Sequence, residues 1–336
     1  MTTAAIRGRL VLGLALCIVV LLAVVFLSLA LGARQVELGA TLDALFAPDA
    51  TNADHTVIRD LRIPRTLLGL VAGAALGLAG SIMQGLTRNP LADPGLLGVN
   101  AGASLFVVIG ITFFGIAGAV NQVWLAFLGA AVATVIVYVV GSGRGGATPI
   151  SLTLAGSAVT AAITSVITLL LLGNLDTLNQ YRFWAAGSLV GRDLDALVAL
   201  APFLVVGLLI ALSLGRMLNV LALGDDLATG LGQSVVRARI LAAVAVVILC
   251  GTATSLAGPI VFVGLVVPHL ARRITGPDYR WILAYSVPLG GIILVAADVI
   301  GRLVVLPGEL EAGLVVAFVG APVMIALVRG SRLGAL

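Results

Sequence analysis

Apolar runs recur along nearly the whole length of this chain. The first extends from Leu10 to Gly32, behind Arg7 and Arg9, and nine more follow at approximately 66–86, 96–116, 122–140, 150–172, 197–214, 238–257, 259–271, 282–301 and 312–328. One membrane-spanning helix needs about 20 apolar residues. The runs therefore predict an all-α polytopic membrane protein with about ten transmembrane helices. The first run is longer than the apolar core of a signal peptide, about 7–15 residues, so we expect it to be retained as a span.

The composition excludes several classes of function. Of the 336 residues, 60% are apolar and 10% are charged, whereas a soluble domain has about 45–50% apolar and about 25% charged residues. All 19 basic residues are arginine, so the chain has no lysine for a Walker A nucleotide-binding loop. The arginines are scattered between apolar runs, which argues against nucleic acid as a partner. Cys17 and Cys250 lie far apart in apolar runs and predict neither a disulfide nor a zinc site.

The distribution of charge supports an orientation with both termini in the cytoplasm. With ten spans and the N-terminus inside, twelve arginines and four acids fall on the inner side, a net charge of +8. Seven arginines and eleven acids fall outside, a net charge of −4. Because basic residues favour cytoplasmic loops, this orientation is preferred over the reverse.

We treat residues 1–336 as a single transmembrane domain. We expect the first span at 1–33, an acidic external loop at 34–65, spans two to six at 66–214, a cytoplasmic loop at 215–239 and spans seven to ten at 240–330. The spans contain almost no charge, with Asp298 the nearest exception. Ion-coupled carriers usually place ionisable groups at mid-membrane. The energy for transport is therefore expected to come from outside this chain.

The fifth span carries hydroxyl side chains on two neighbouring strips. Thr153 and Ser157 form one strip, and Thr160, Thr164 and Thr168 form the other. Two interpretations remain open from the residues alone. The hydroxyls line a polar passage that does not grip its cargo, or they hydrogen-bond to carbonyl groups of their own helix.

Three arginines, Arg59, Arg62 and Arg65, lie at the outer end of the second span, although basic residues favour the inner side. Such arginines either extend to lipid headgroups or form a docking patch for carboxylates of a soluble partner. Arg302 also ends a span on this side, one helical turn after Asp298. That spacing favours an ion pair between the two residues.

The internal loop contains a second candidate site. Asp225 and Asp226 are followed by Gly230 and Gly232, a pattern that predicts a short helix capped by the aspartates and broken by the glycines. Such a helix is either a simple linker or an element that fits a groove on a cytoplasmic motor protein.

A series of further motifs occurs in a fixed order over residues 60 to 330. It comprises Arg62-Ile63-Pro64-Arg65-Thr66, Gly80-Ser81-Ile82-Met83-Gln84, Arg88-Asn89-Pro90-Leu91-Ala92-Asp93-Pro94, Phe183-Trp184, Ala222-Leu223-Gly224-Asp225, Gly258-Pro259-Ile260-Val261-Phe262-Val263-Gly264-Leu265 with Pro268-His269, and Ala297-Asp298 with Arg302. This series resembles the FecCD family, the permease subunits of importers for ferric siderophores, haem and vitamin B12. The first 33 residues and the loop to Asp60 match poorly.

The resemblance implies the type II ABC importer permease fold, with ten helices. It implies as partners a second permease subunit, identical or paralogous, two ATP-binding subunits and an extracytoplasmic siderophore-binding protein. It implies no cofactor, catalytic residue or metal ligand in this chain, since ATP and Mg²⁺ bind to the partner ATPase.

The resemblance also assigns roles to residues of this sequence. Binding-protein docking falls on Arg62, Arg65 and Arg302. ATPase coupling falls on Leu223, Gly224, Asp225, Asp226, Ala228, Leu231 and Gly232. The gates and the pathway fall on Asn89, Pro90, Leu91, Thr148, Ser151, Ser157, Thr160, Thr164 and Thr168.

We therefore expect an inner-membrane permease for a ferric siderophore of the catecholate type, driven by ATP hydrolysis in a partner subunit. Two alternatives remain. One keeps the mechanism and changes the cargo to haem or cobalamin, and the other is an ion-coupled secondary transporter.

Overall fold

The structure, a computed structural model, describes residues 3–49, 51–116, 118–143, 146–191, 194–306 and 308–330. Its helices are α1 (Thr3–Ala30), α2 (Leu38–Phe46), α3 (Ala53–Thr56), α4 (Ile63–Thr87), α5 (Val99–Phe114), α6 (Ala119–Gly141), α7 (Pro149–Leu172), α8 (Leu175–Ala185), α9 (Leu194–Ser213), α10 (Gly215–Leu221), α11 (Asp225–Gly230), α12 (Val235–Ala257), α13 (Val263–Thr275), α14 (Tyr279–Val304) and α15 (Ala312–Gly330). A π-helical turn at Val57–Arg62, a 3₁₀ turn at Pro94–Leu97 and a two-residue antiparallel pair, β1 (Ser142–Gly143) with β2 (Gly146–Ala147), complete the regular elements of these ranges. The all-α prediction is confirmed.

Each of the ten predicted apolar runs contains one helix. Within the described ranges, seven helices are long and apolar enough to cross a membrane by themselves. The helices of the other three runs, α5, α13 and the apolar part of α15, are shorter. The protein is thus a multi-pass membrane protein, and the count of ten crossings stays a prediction.

Helix α4 is the centre of the bundle, and nearly all of its residues from Thr66 to Thr87 are buried. Glycines bring its backbone against α14: a Cβ atom on Gly73 would collide with the carbonyl group of Gly290, and one on Gly77 would lie 2.7 Å from the carbonyl oxygen of Ser286. Small residues at helix interfaces permit such close approach in membranes, where packing drives helix association. Gly73 and Gly77 therefore belong to a packing surface of α4 against α14.

The predicted external loop at 34–65 is largely helical. It holds α2, α3 and the π-helical turn, and α4 already begins at Ile63. Asn52 caps α3 by accepting a hydrogen bond from the backbone N–H of Asp54 at 2.9 Å, which satisfies one of the free donors at that helix start. Helix formation runs without a break from Ala53 to Thr87, so the second span extends well beyond the predicted boundary.

The helix ends gather at two opposite ends of the bundle. One, called here the Arg302 end, holds the close of α1 and α14 and the start of α4. The other, the Asp225 end, holds the close of α4 and the start of α12 and α14, with α10 and α11 beside them. Which end faces the cytoplasm stays a prediction. Residues 1–2 and 331–336, the two termini whose side was predicted, lie outside the described residues.

Candidate docking, coupling and pathway sites

A carboxylate at the Arg302 end holds two arginines. Asp298 on α14 is 1% exposed, and its oxygens lie 2.9 and 3.0 Å from Nε of Arg65 on α4. Asp298 also accepts hydrogen bonds from Arg302, which follows it by one helical turn. Arg65 Nη1 lies 2.6 Å from Glu309 Oε2. The ion pair predicted between Asp298 and Arg302 is present, and it is one part of a four-residue network.

Two arginines at the Arg302 end, Arg62 and Arg302, cap the C-terminus of α1. Arg62 donates from Nη1 to the carbonyl oxygens of Leu29 and Ala30 at 2.7 and 2.8 Å. Arg302 donates from Nη1 to the carbonyl oxygen of Ser28 at 2.8 Å. The last carbonyls of a helix have no partner within it, and a cation there is stabilised by the helix dipole. The two guanidinium groups therefore bind the C-terminus of the first helix.

Burial separates the three arginines that were predicted to dock a binding protein. Arg62 is 5% exposed and Arg302 is 2% exposed, while the side chain of Arg65 is 12% exposed. All three line a cavity of 430 Å³ together with Asp60 and Glu309. In this single chain their guanidinium groups are already engaged by internal partners, of which the sequence indicated only Asp298 for Arg302. Their docking role stays a prediction.

At the Asp225 end, α11 forms the short helix that the loop predicted. Gly224 precedes it in a conformation that only glycine adopts readily, with φ of 106°, and provides no side-chain cap. The prediction that Asp225 and Asp226 cap this helix is therefore wrong. They occupy its first turn, where the helix dipole favours negative charge.

Asp225 ties α11 to two other helices. Its carboxylate lies 2.6 Å from Nη2 of Arg239 on α12 and 3.4 Å from Nη2 of Arg88. Arg88 ends α4 in the left-handed region, with φ of 51°, and this conformation turns the chain out of the helix beside α11. A displacement of α11 is thereby linked to the central helix and to α12.

Residues 223–232, called here the coupling segment, hold the predicted coupling residues and expose three leucines, the leucine face. Leu223, Leu227 and Leu231 are 56, 61 and 66% exposed; Leu227 lies within α11, while Leu223 and Leu231 flank it. Ala228, between them in sequence, is fully buried and fixes the opposite face. An exposed apolar patch of this kind marks an interaction surface. Leu227 was absent from the predicted coupling residues, because in a chain this rich in leucine only its exposure distinguishes it.

A polar contact that the sequence did not indicate fixes α10 beside this segment. Asn219 donates from Nδ2 to Asp278 Oδ1 at 2.7 Å and accepts from the backbone N–H of Tyr279 at 2.8 Å. Asp278 caps α14 and binds the side chain of Arg280. Hydrogen bonds from Arg280, and then from Asn219, lower the pKa of the Asp278 carboxyl to about 2. The start of α14 thus supports the element that leads into the coupling segment.

The predicted gate residues form local turns at the same end. The side chain of Asn89 accepts a hydrogen bond from the backbone N–H of Leu91 at 2.9 Å, across Pro90, which is an Asx turn. Thr148 and Ser151 form a capping box at the start of α7, with reciprocal bonds of 3.1 and 3.0 Å. Both pairs have a structural role in this chain, and their role as gates stays a prediction.

The hydroxyl strips of the fifth span lie on α7, which presents a broad exposed face. Ser157, Thr164 and Thr168 are exposed, and Thr160 is half-buried. Ser157 donates to the carbonyl oxygen of Thr153 and Thr168 to that of Thr164, each at 2.9 Å. The back-bonding interpretation therefore holds for Ser157 and Thr168. Because their oxygens can still accept hydrogen bonds from the exposed side, it does not exclude a polar passage.

Comparison with known proteins agrees with this arrangement. Residues 20–330 match the FecCD transport family. The chain is 49% identical to the ferric enterobactin transport system permease protein FepD of Escherichia coli strain K12, over 92% of both chains. It is 41% identical to the iron(3+)-hydroxamate import system permease protein FhuB of Bacillus subtilis strain 168, over 92% of this chain and 80% of that one. A solved structure of an inward-facing ABC transporter of the metal-chelate type has a TM-score of 0.82 at 25% identity, covering 96% of this chain and 99% of the other.

The match extends over nearly every element described above, from α1 to α15, and includes the candidate docking, coupling and pathway residues. The solved structure has the same bundle, and the family model covers most of the chain. The chain belongs to the FecCD transport family.

Proposed function

We propose that this chain is the permease through which an ABC importer carries a ferric siderophore of the catecholate type across the inner membrane. Members of this family are transport permeases of ABC importers for iron–siderophore substrates and are not enzymes; ATP is hydrolysed by a separate subunit. The observation that carries the choice of cargo is the 49% identity with the enterobactin permease. A relative named for hydroxamate import is 41% identical, so the type of chelator is the part most in need of a test.

The exposed face of α7 supports a pathway shared between two permease chains. Within one chain α7 leaves Leu154 and Leu169 exposed beside the hydroxyls of Ser157 and Thr164. A second permease, identical or paralogous, covers the leucines and leaves the hydroxyls in contact with the cargo. A large hydrophilic chelate passes more readily along hydroxyls than along charges, because hydroxyls hydrogen-bond to it without holding it firmly.

The leucine face of the coupling segment supports an ATPase subunit as partner. Leu223, Leu227 and Leu231 are exposed on α11 and at its two ends, and an apolar surface on a short helical segment suits insertion into an apolar groove. The ion pairs from Asp225 to Arg88 and Arg239 pass a displacement of this face to α4 and α12. Two ATP-binding subunits, one for each permease, open the inner and outer gates in alternation. In this arrangement the Asp225 end and both termini are cytoplasmic.

The Arg302 end then receives the siderophore-binding protein. The 430 Å³ cavity has four arginines in its wall, Arg34 and the three assigned to docking, and a carboxylate of a soluble partner pairs with guanidinium groups in two-point contacts. Arg65 is the most exposed of the three. Arg62 and Arg302 are more deeply buried and bind the carbonyl groups at the end of α1. Their charge adds positive electrostatic potential to the cavity.

Uptake by the reconstituted importer tests this proposal. The permease, its second permease, the ATPase and the binding protein are placed in proteoliposomes, with and without ATP inside. Uptake is compared for ferric enterobactin, a ferric hydroxamate and haem, each labelled with ⁵⁵Fe, and for cobalamin labelled with ⁵⁷Co. We expect uptake of the catecholate only, and only with ATP. Uptake of another cargo alone would disprove the catecholate assignment, and uptake driven by an ion gradient without ATP would establish a secondary transporter.

A further inference from the structure

An apolar groove runs along the outside of the bundle between α6 and α12. Its volume is 280 Å³, and Leu86, Leu97 and Leu152 form part of its floor. Val135 and Val244 stand at its exposed rim. Thr134 is the one hydroxyl of its deeper wall, and it donates to the carbonyl oxygen of Ala130 at 2.9 Å. The groove therefore offers apolar contacts along its length and no free polar group at depth.

The length of the groove corresponds to one leaflet of a bilayer. Along α12 its lining extends from Arg239 to Ile248, nine residues further on, which is about 14 Å at a rise of 1.5 Å per residue. Half of the hydrocarbon core is about 15 Å. Both amphipathic lining residues, Arg239 on α12 and Tyr138 on α6, lie at the Asp225 end of the groove. Tyrosine and arginine favour the headgroup level of a membrane.

The charge at this end of the groove is positive. Arg239 and Arg88 share the single carboxylate of Asp225, so the three groups carry a net charge of +1. Asp226, the next residue, is exposed on α11. Arg237, two residues before Arg239, is exposed as well. Basic positions between transmembrane helices at the membrane surface bind anionic lipid headgroups.

We propose that this groove binds one phospholipid with an anionic headgroup. One acyl chain lies between α6 and α12 from Tyr138 to Ile248, and the headgroup phosphate contacts Arg239. The identity of the leaflet rests on the proposed function, which puts the Asp225 end in the cytoplasm, whereas the binding itself does not. A second permease chain is disfavoured as the occupant, because the groove has a volume of only 280 Å³ and has a charged lining residue, Arg239, at one end only.

The lipid is placed to act on the coupling segment. Arg239 binds Asp225 of α11 at 2.6 Å, and a phosphate that shares this guanidinium competes for the same donors. An anionic lipid therefore loosens the tie between α11 and α12, while a zwitterionic one, whose own ammonium group balances its phosphate, does so less.

Native mass spectrometry of the assembled importer tests the site. The complex is purified in detergent, phosphatidylglycerol or phosphatidylcholine is added, and the lipid retained on the permease is counted. We expect Arg239→Gln to lower phosphatidylglycerol retention about fivefold, the factor for one arginine beside an anionic headgroup, and Ala243→Phe, which fills the groove, to lower retention of both lipids. The matched controls are Arg59→Gln, an exposed arginine at the Arg302 end, and Leu241→Phe, on α12 and outside the groove lining.

Three results would overturn the proposal. Equal retention of the two lipids by the unmodified complex would show that the groove does not select an anionic headgroup. Unchanged retention of phosphatidylglycerol in Arg239→Gln would show that Arg239 does not bind the headgroup. A photoreactive residue at Val244 that links to a second permease chain, and not to lipid, assigns the groove to protein. Arg239→Gln and Arg59→Gln each shorten one polar side chain and add no bulk to the groove, so this comparison stands even if Ala243→Phe fails to fold.

Discussion

Arg65 and Asp298 join the two most closely packed helices of the bundle, with Nε of the arginine 2.9 and 3.0 Å from the two carboxylate oxygens. Arg302 binds the same carboxylate from within α14. Asp298 is thus the counter-charge for two arginines in a region from which water is nearly excluded. Removing one partner of a buried pair costs far more than an exposed pair contributes.

We predict that Asp298→Asn strongly destabilises the protein. The variant leaves Arg302 buried without its carboxylate, at a cost on the order of 3 kcal/mol. The melting temperature of the purified chain in detergent measures the effect. Glu37→Gln, which neutralises an exposed acid at the start of α2, is the matched control and should melt as the unmodified chain does. If both variants melt alike, the buried network does not stabilise the fold.

Reversal of Arg62 should act on the fold before it acts on docking. Arg62→Glu removes the cation that caps α1 and places a carboxylate beside the carbonyl groups of Leu29 and Ala30, so we expect a lower melting temperature without any binding protein. Arg65→Glu should weaken docking, and exposed Arg59→Glu should melt normally. Binding-protein affinity for the importer in nanodiscs is measured beside melting. Unchanged affinity in Arg65→Glu would remove the docking assignment of that residue.

The contact between α4 and α14 should tolerate no added methyl group. Gly73→Ala directs a Cβ atom at the carbonyl group of Gly290 and must separate the helices, at a cost of about 1–3 kcal/mol. Gly39→Ala in α2 meets no atom within 4 Å and should be neutral or slightly stabilising, because alanine favours a helix over glycine. The two melting temperatures are compared in the same detergent. Equal values would show that the helices are not in close contact.

The leucine face should be dispensable for folding and required for coupling. The double variant Leu227→Ser with Leu231→Ser alters only exposed side chains, so the complex should melt normally while ATP hydrolysis loses its stimulation by the loaded binding protein. Leu175→Ser, an exposed leucine on α8, is the control. Stimulated hydrolysis by the double variant at the normal level would show that another surface meets the ATPase.

Asp278 should make stability fall at low pH. Its pKa is about 2 in the folded protein and about 3.9 in an unfolded chain. A lowered pKa means that the contribution is complete above the unfolded value and is lost as pH falls towards 2. Asp278→Asn keeps an oxygen to cap α14 but has no charge to lose. The fall in melting temperature between pH 5 and 3 should therefore be smaller in the variant, and an identical fall would exclude Asp278 as a source.

The sequence predicted the helices well because their cause is local. About 20 apolar residues in a row form a helix in a membrane whatever surrounds them, and each predicted run contains one. The partners of most charged residues could not be predicted from the sequence. Arg65 and Asp298 are 233 residues apart, and Arg62 binds backbone carbonyls that carry no residue-specific signal. Only the pair from Asp298 to Arg302 was predicted, since one helical turn separates them.

Spacing also failed where exposure decides the role. Asp225 and Asp226 follow a glycine and look like caps, yet Asp225 contacts Arg239 and Arg88. Leu227 reads as one more apolar residue until the fold leaves it on the surface. Both errors concern the tertiary surroundings of a side chain. The helical period of 3.6 residues gives no information about those surroundings.

The cap on α1 sets an order for biogenesis. The carbonyl oxygen of Ser28 accepts a hydrogen bond from Arg302, which follows 274 residues later in the chain. At about 5–20 residues per second, the ribosome synthesises that stretch in roughly 14 to 55 s. The phenol of Tyr285 must likewise arrive before it can bind the carbonyl oxygen of Leu10, 2.6 Å away at the other end of the helix. During that interval the first helix can have Arg62 as a cap, but it has neither Arg302 nor Tyr285 as a partner. Lipid can surround the almost unbroken apolar surface of this helix until then. Tyr285 and Arg302, both in the last third of the polypeptide, afterwards hydrogen-bond to its two ends.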